Sequence, residues 1–102
     1  MSLLNKLLKV ENKELEIKFE LTEVLTQGLL EKFEAHLAKD KAEGNGLRTV
    51  YGKYLRAAIA CGWVKEPRLN DDQISQMDPR AVTLIGSKIS DLLREANTIP
   101  PA

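Results

Sequence analysis

His36 and Cys61 are the residues in this 102-residue chain best suited to proton transfer or covalent chemistry near neutral pH, and each occurs once. His36 sits in a helical stretch with Asp40 four residues on and Lys32 four residues before. Asp40 is therefore spaced to orient the imidazole across one helical turn. A catalytic imidazole also needs a nucleophile or a substrate group to serve, and nothing near His36 in sequence supplies one. A surface or partly buried helical histidine is the expectation. Cys61 follows Ala60 close to the end of a helical pattern. A thiolate is favoured at a helix N-terminus or beside cations, and a C-terminal position works against it. Cys61 reads as a small buried hydrophobe.

The remaining chemical signals are weaker. One His and one Cys cannot make a zinc set. Asp71, Asp72 and Asp78 lack the alternation and the turn glycine of a calcium loop, and helix capping accounts for them. Gly44-Asn45-Gly46 precedes a helix but has neither the glycine spacing of a phosphate loop nor its Lys-Ser or Lys-Thr pair. Arg48, Lys53, Arg56, Lys65 and Arg68 interleave with Tyr51, Tyr54 and Trp63, a mixture that can grip nucleic acid. The tyrosines, however, fall on a core-facing stripe, and Glu66 and Asp71 are close by. A helix-turn-helix reading of the segment around Asp78-Pro79 would present Arg80, Thr83, Ser87 and Lys88, which is weakly basic. The chain is expected to need no metal or cofactor, to be no enzyme, and to take a protein as its partner before nucleic acid.

Charge and composition agree. Fifteen basic residues balance fifteen acidic ones, and hydrophobic residues make up 43% of the chain, so no net field draws it to nucleic acid or membrane. Residues 1–47 carry seven Lys against nine acids, net −2, and 48–102 carry eight Lys or Arg against six acids, net +2. No apolar run approaches the roughly 18–20 residues that span a bilayer. One cysteine allows no internal disulfide, so a reducing, cytoplasmic setting is expected.

The elements that must position these residues follow from periodicity. Leu15, Ile17, Phe19 and Leu21 alternate with polar residues, as on a half-buried strand. Leu8-Lys9-Val10 alternates in the same way. A turn at Asn12-Lys13 would set Val10 opposite Leu15, Leu8 opposite Ile17 and Lys9 opposite Glu16, so a β-hairpin is expected over 1–22. The rival is an N-terminal helix with Leu3, Leu4, Leu7 and Leu8 on one face. A helix begins near Thr22 or Thr26, with Leu25, Leu29, Leu30, Phe33 and Leu37 along one side. A second carries Leu47, Val50, Tyr51, Tyr54, Leu55, Ala58 and Ile59 inward, ends at Gly62, and lets Trp63-Val64 fold back onto it. Asn70 and Gln73 form a capping box for a short helix with Ile74 and Met77 inward. Asp78 and Pro79 then open a last helix with Val82, Ile85, Ile89, Leu92, Leu93 and Ala96 inward. The expectation is one α+β domain, 1–102, dominated by helix. It has the hairpin over 1–22, a helical part over 23–97 with three main helices and one short one, and an extended tail over 98–102 with Ile99 tucked against the domain.

Trp and Tyr are enriched where proteins meet partners, and Trp63 stands at a corner between helices. It serves either to seal the core or to border a partner-binding groove. The candidate contact residues are Tyr51, Tyr54, Arg56, Trp63 and Val64. Strand edges of the hairpin and the Leu3-Leu4-Leu7-Leu8 cluster favour a dimer or larger ring over a monomer.

Three phrases resemble small proteins of the tail region of tailed phages and prophages. Tyr54-Leu55-Arg56-Ala57-Ala58-Ile59-Ala60-Cys61-Gly62-Trp63-Val64 is similar to the LRAAIKAGW helix end of those proteins. Met77-Asp78-Pro79 with Val82 and Ile85-Gly86-Ser87-Lys88-Ile89 resembles the helix that follows it there, and Asn97-Thr98-Ile99-Pro100-Pro101 their proline-ending tails. Leu25-Thr26-Gln27-Gly28 fits the usual helix opening, although Leu29 stands where an acid is common. The resemblance covers about residues 20–97 and brings no catalytic residues with it. It implies a tail assembly chaperone in the host bacterial cytoplasm, shielding apolar helices of a tape-measure protein until the tail tube polymerises. A host-directed inhibitor and a small DNA-binding regulator are the alternatives.

Overall fold

A computed structural model describes residues 7–42 and 48–99 of the chain. The element order is β1 (Leu7–Asn12), β2 (Ile17–Thr22), α1 (Gln27–Ala42), α2 (Val50–Ala60), β3 (Val64–Glu66), α3 (Asp71–Ser75) and α4 (Pro79–Ala96). This is the α+β, mainly helical architecture that the periodicity predicts, with three main helices and a short one.

The hairpin forms, but in another register. Val10 lies opposite Phe19, Leu8 opposite Leu21 and Lys9 opposite Glu20. The reason lies in the turn. The Asn12 side chain accepts from the Leu15 N–H at 3.0 Å, and the Glu16 N–H reaches the Lys13 carbonyl at 3.2 Å. These bonds hold Lys13–Glu16 as a loop, with Glu16 at φ 54°, and Leu15 leaves the strand. The slide from the expected register is four residues. An even slide keeps every side chain on its face, so Leu8 and Val10 still look toward the core and Lys9 still meets an acid. The N-terminal helix is overturned for Leu7 and Leu8, which lie in β1. Leu3 and Leu4 fall outside the described residues, as do Gly44-Asn45-Gly46 and Leu47.

Each helix has a local reason to start where it does. Thr26 accepts the Leu29 N–H at 3.1 Å before α1, and Thr49 accepts the Gly52 N–H at 3.0 Å before α2. Asn70 and Gln73 make the reciprocal capping box of α3, with bonds of 2.8 and 2.9 Å. Asp78 caps α4 ahead of Pro79. Helix α2 ends at Ala60 with Cys61 as its C-cap, and Gly62 follows at a φ of +87°, the left-handed conformation a glycine adopts without strain.

Gly62 turns the chain into an element that periodicity does not reveal. Only three residues long, β3 pairs antiparallel with β2 and completes a sheet of order β1-β2-β3. The core lies between this sheet and α1, α2 and α4, with Trp63, Phe19, Phe33, Leu21, Leu55, Ile85 and Ile89 fully enclosed. Two positions depart from the predicted stripes, and one from the predicted tail. Val50, assigned inward, is 60% exposed, because it opens α2 outside the contact with its neighbours. Ala96 is exposed while Ala81 and Gly86 are buried. Ile99, expected against the domain, is 88% exposed. It follows the α4 cap at Asn97, beyond the reach of the core.

Candidate functional site

The five predicted contact residues separate once the chain folds. Trp63 is 0% exposed and Val64 is equally enclosed. The Trp63 indole N–H donates to the Thr22 carbonyl at 2.8 Å, and its ring meets Phe33 edge-on at 5.3 Å. Both residues are corrected from partner contact to core, since neither offers accessible surface. Full burial of a large apolar side chain stabilises a fold by roughly 1.5–3 kcal/mol, and the buried indole N–H finds the acceptor such a group needs. Tyr54 faces α1, edge-on to Phe33 at 5.8 Å.

Tyr51 and Arg56 reach the surface together. They line a groove of about 540 Å³ between the start of α2 and the α3–α4 corner, whose other walls include Ile74, Met77, Pro79, Val82 and Thr83. Capping and close packing shape this groove. The Asn70 box turns Ile74 inward, Asp78-Pro79 redirects the chain at the corner, and Gly86 lets α4 approach α2. A Cβ at Gly86 would stand 2.3 Å from the Tyr51 Cβ, so only hydrogen fits there.

Arg56 is anchored. Its Nη2 donates to Ser75 Oγ at 3.2 Å, and its Nε lies 3.4 Å from Asp71 Oδ1. Arg48 bridges Asp71 at 3.5 Å and also bonds Asp40. These ion pairs stitch α1, the entry to α2, and α3 together. They also bear on two readings of the sequence. Asp40, spaced to orient His36, accepts instead from Arg48. Of the interleaved basic and aromatic residues, Arg48 and Arg56 are engaged by carboxylates, and Trp63 has no open ring face for a base.

His36 and Lys39 border a smaller polar cleft of about 150 Å³ that Arg48, Arg56 and Asp71 also line. Cys61 is half-buried, its thiol donating to the Ala58 carbonyl at 3.5 Å. Burial pushes the thiol above its ordinary pKa, against smaller lowering effects from backbone hydrogen bonds and from Lys32 and Lys65, which disfavours the nucleophilic thiolate. Among the described residues no three His, Cys, Asp or Glu side chains come together as a metal set. No helix among them is long and apolar enough to cross a membrane.

The groove residues that the helical stripes place inward are Met77 and Val82, while Thr83 lies on the outward face expected of it. The signal for Met77 and Val82 was the break between α3 and α4, where apolar stripes of two helices diverge. The arrangement offers an apolar floor with two arginines at one rim, suited to holding another chain's side chains.

The chain was compared with protein families, curated proteins and solved structures, and it matches none of them.

Proposed function

We propose that this chain is a non-enzymatic, cytoplasmic protein-binding module that holds an apolar or amphipathic helix in the groove between α2 and the α3–α4 corner. Its role would be the one implied by the resemblance to phage tail-region proteins, a tail assembly chaperone acting on a tape-measure protein. The observation that carries the reading is the groove itself. Tyr51, Ile74, Met77 and Val82 form an apolar wall, and Arg48 and Arg56 stand at its rim. Helix-in-groove recognition takes its affinity from buried apolar side chains and its register from rim charges. Methionine adds a floor that adapts to different side-chain shapes.

The test is co-expression with tape-measure fragments, followed by size exclusion with light scattering. Tyr51→Ala removes the aromatic wall, including the Cγ that packs beside Gly86, and Thr83→Arg obstructs the groove from an exposed position. Thr83→Arg is expected to melt near the parent temperature, and both variants to weaken the complex at least tenfold. A complex that survives both changes overturns the groove. Capture of a host enzyme in place of any tail fragment would favour the inhibitor.

A further inference from the structure

Among the described residues, strand β1 is an edge of the sheet, with β2 on one side only. The outward backbone N–H and C=O groups of such a strand are a template for another strand. We propose that β1 pairs antiparallel with β1 of a second copy of this chain, Val10 opposite Val10, joining two three-stranded sheets into one continuous sheet.

Symmetry and charge favour this register over those centred on Lys9 or Glu11. In a two-fold pair, residue i faces j and j faces i. A pair centred between two residues would set core-facing side chains of one copy beside solvent-facing ones of the other, because side chains alternate with period two. Centring on Lys9 brings Lys9 against Lys9, and centring on Glu11 brings Glu11 against Glu11. Centring on Val10 sets Lys9 against Glu11 twice, an opposite-charge pair at each symmetric position. All four of these side chains are on the solvent face.

The charges already arranged within the hairpin continue across the seam. Glu11 lies opposite Lys18 and Lys9 opposite Glu20. A row across the joined sheet then reads Lys18 and Glu11 from one copy, Lys9 and Glu20 from the other, with signs alternating throughout. On the inner face, Leu8 and Val10 pack on the core yet are only half-buried. The second Val10 and Asn12 would cover them. This pairing uses the side of the molecule formed by the hairpin and does not depend on what the α2–α4 groove holds.

Light scattering of the full chain over a dilution series should give the mass of two chains at the upper concentrations. A one-chain mass throughout overturns the proposal. Register is read by mixing. The variant Lys9→Glu/Glu11→Lys/Lys18→Glu/Glu20→Lys inverts the four charges while keeping each opposite pair inside its own hairpin. It should dimerise with itself, yet native mass spectrometry of its mixture with the parent should show mixed dimers several-fold below the statistical share. A statistical share overturns the register. Hydrogen exchange on the unaltered chain gives a second reading, independent of whether the variant folds. Amides of β1 should slow as concentration rises, and those of β3 should not; exchange in β1 indifferent to concentration also overturns the pairing.

Discussion

Gly86 and Trp63 show how much single side chains decide. The close approach of α2 and α4 depends on the missing side chain at Gly86. A Cβ there would come within 2.9 Å of the Tyr51 Cα as well as 2.3 Å of its Cβ, so the helices themselves would have to move. Overpacking of this kind costs about 1–3 kcal/mol, while alanine gains about 1 kcal/mol over glycine in helix propensity. Gly86→Ala is therefore expected to lower the urea midpoint. A midpoint that holds or rises would mean that α4 can retreat without loss. Trp63 illustrates a limit of residue-type reasoning. Its residue type fits a core seal and also an interface, and its enclosure depends on Thr22 and Phe33, which are remote in sequence.

At the level of elements, termini were the most legible features. The capping residues at Asn70, Asp78 and Gly62 stand where the sequence places them, because a cap satisfies backbone groups within three or four residues and needs no distant partner. Asn70→Ala is expected to cost about 1 kcal/mol, read from the thermal midpoint. It should also raise hydrogen exchange in Asp71–Ser75 relative to α4. Equal exchange in the two helices would show that packing of Ile74, not the cap, holds α3. Strand β3 was invisible for the complementary reason. Its three residues carry no period of their own, and its existence depends on Gly62 turning the chain and on β2 offering an edge. The hairpin register failed in a similar way: the Asn12 side chain and the Lys13–Glu16 turn chose the loop length, and alternation alone cannot distinguish registers that differ by an even number.

For the molecule as a whole, the arrangement around Trp63 makes cooperative behaviour the expectation. Sheet, α1, α2 and α4 all contribute to one cluster of buried side chains, so no element has a core to itself. Tryptophan fluorescence and far-ultraviolet circular dichroism should therefore give coincident unfolding curves in urea. A separate early transition in circular dichroism would mean that the hairpin or α4 unfolds on its own. The ion pairs of Arg48 and Arg56 with Asp40 and Asp71 act at this scale too, since they fasten three helical segments together beside the groove.

Period, caps and composition determined the α+β class, the number of helices and the starts of α3 and α4, because each is a property of residues within one or two turns of one another. They also pointed to Tyr51 and Arg56. Only the tertiary structure decided that these two share a groove with Met77 and Val82, that Trp63 and Val64 lie inside, and that β3 exists. Those outcomes depend on which surfaces meet across the chain, and close packing permits the α2–α4 approach at a glycine where a side chain would block it.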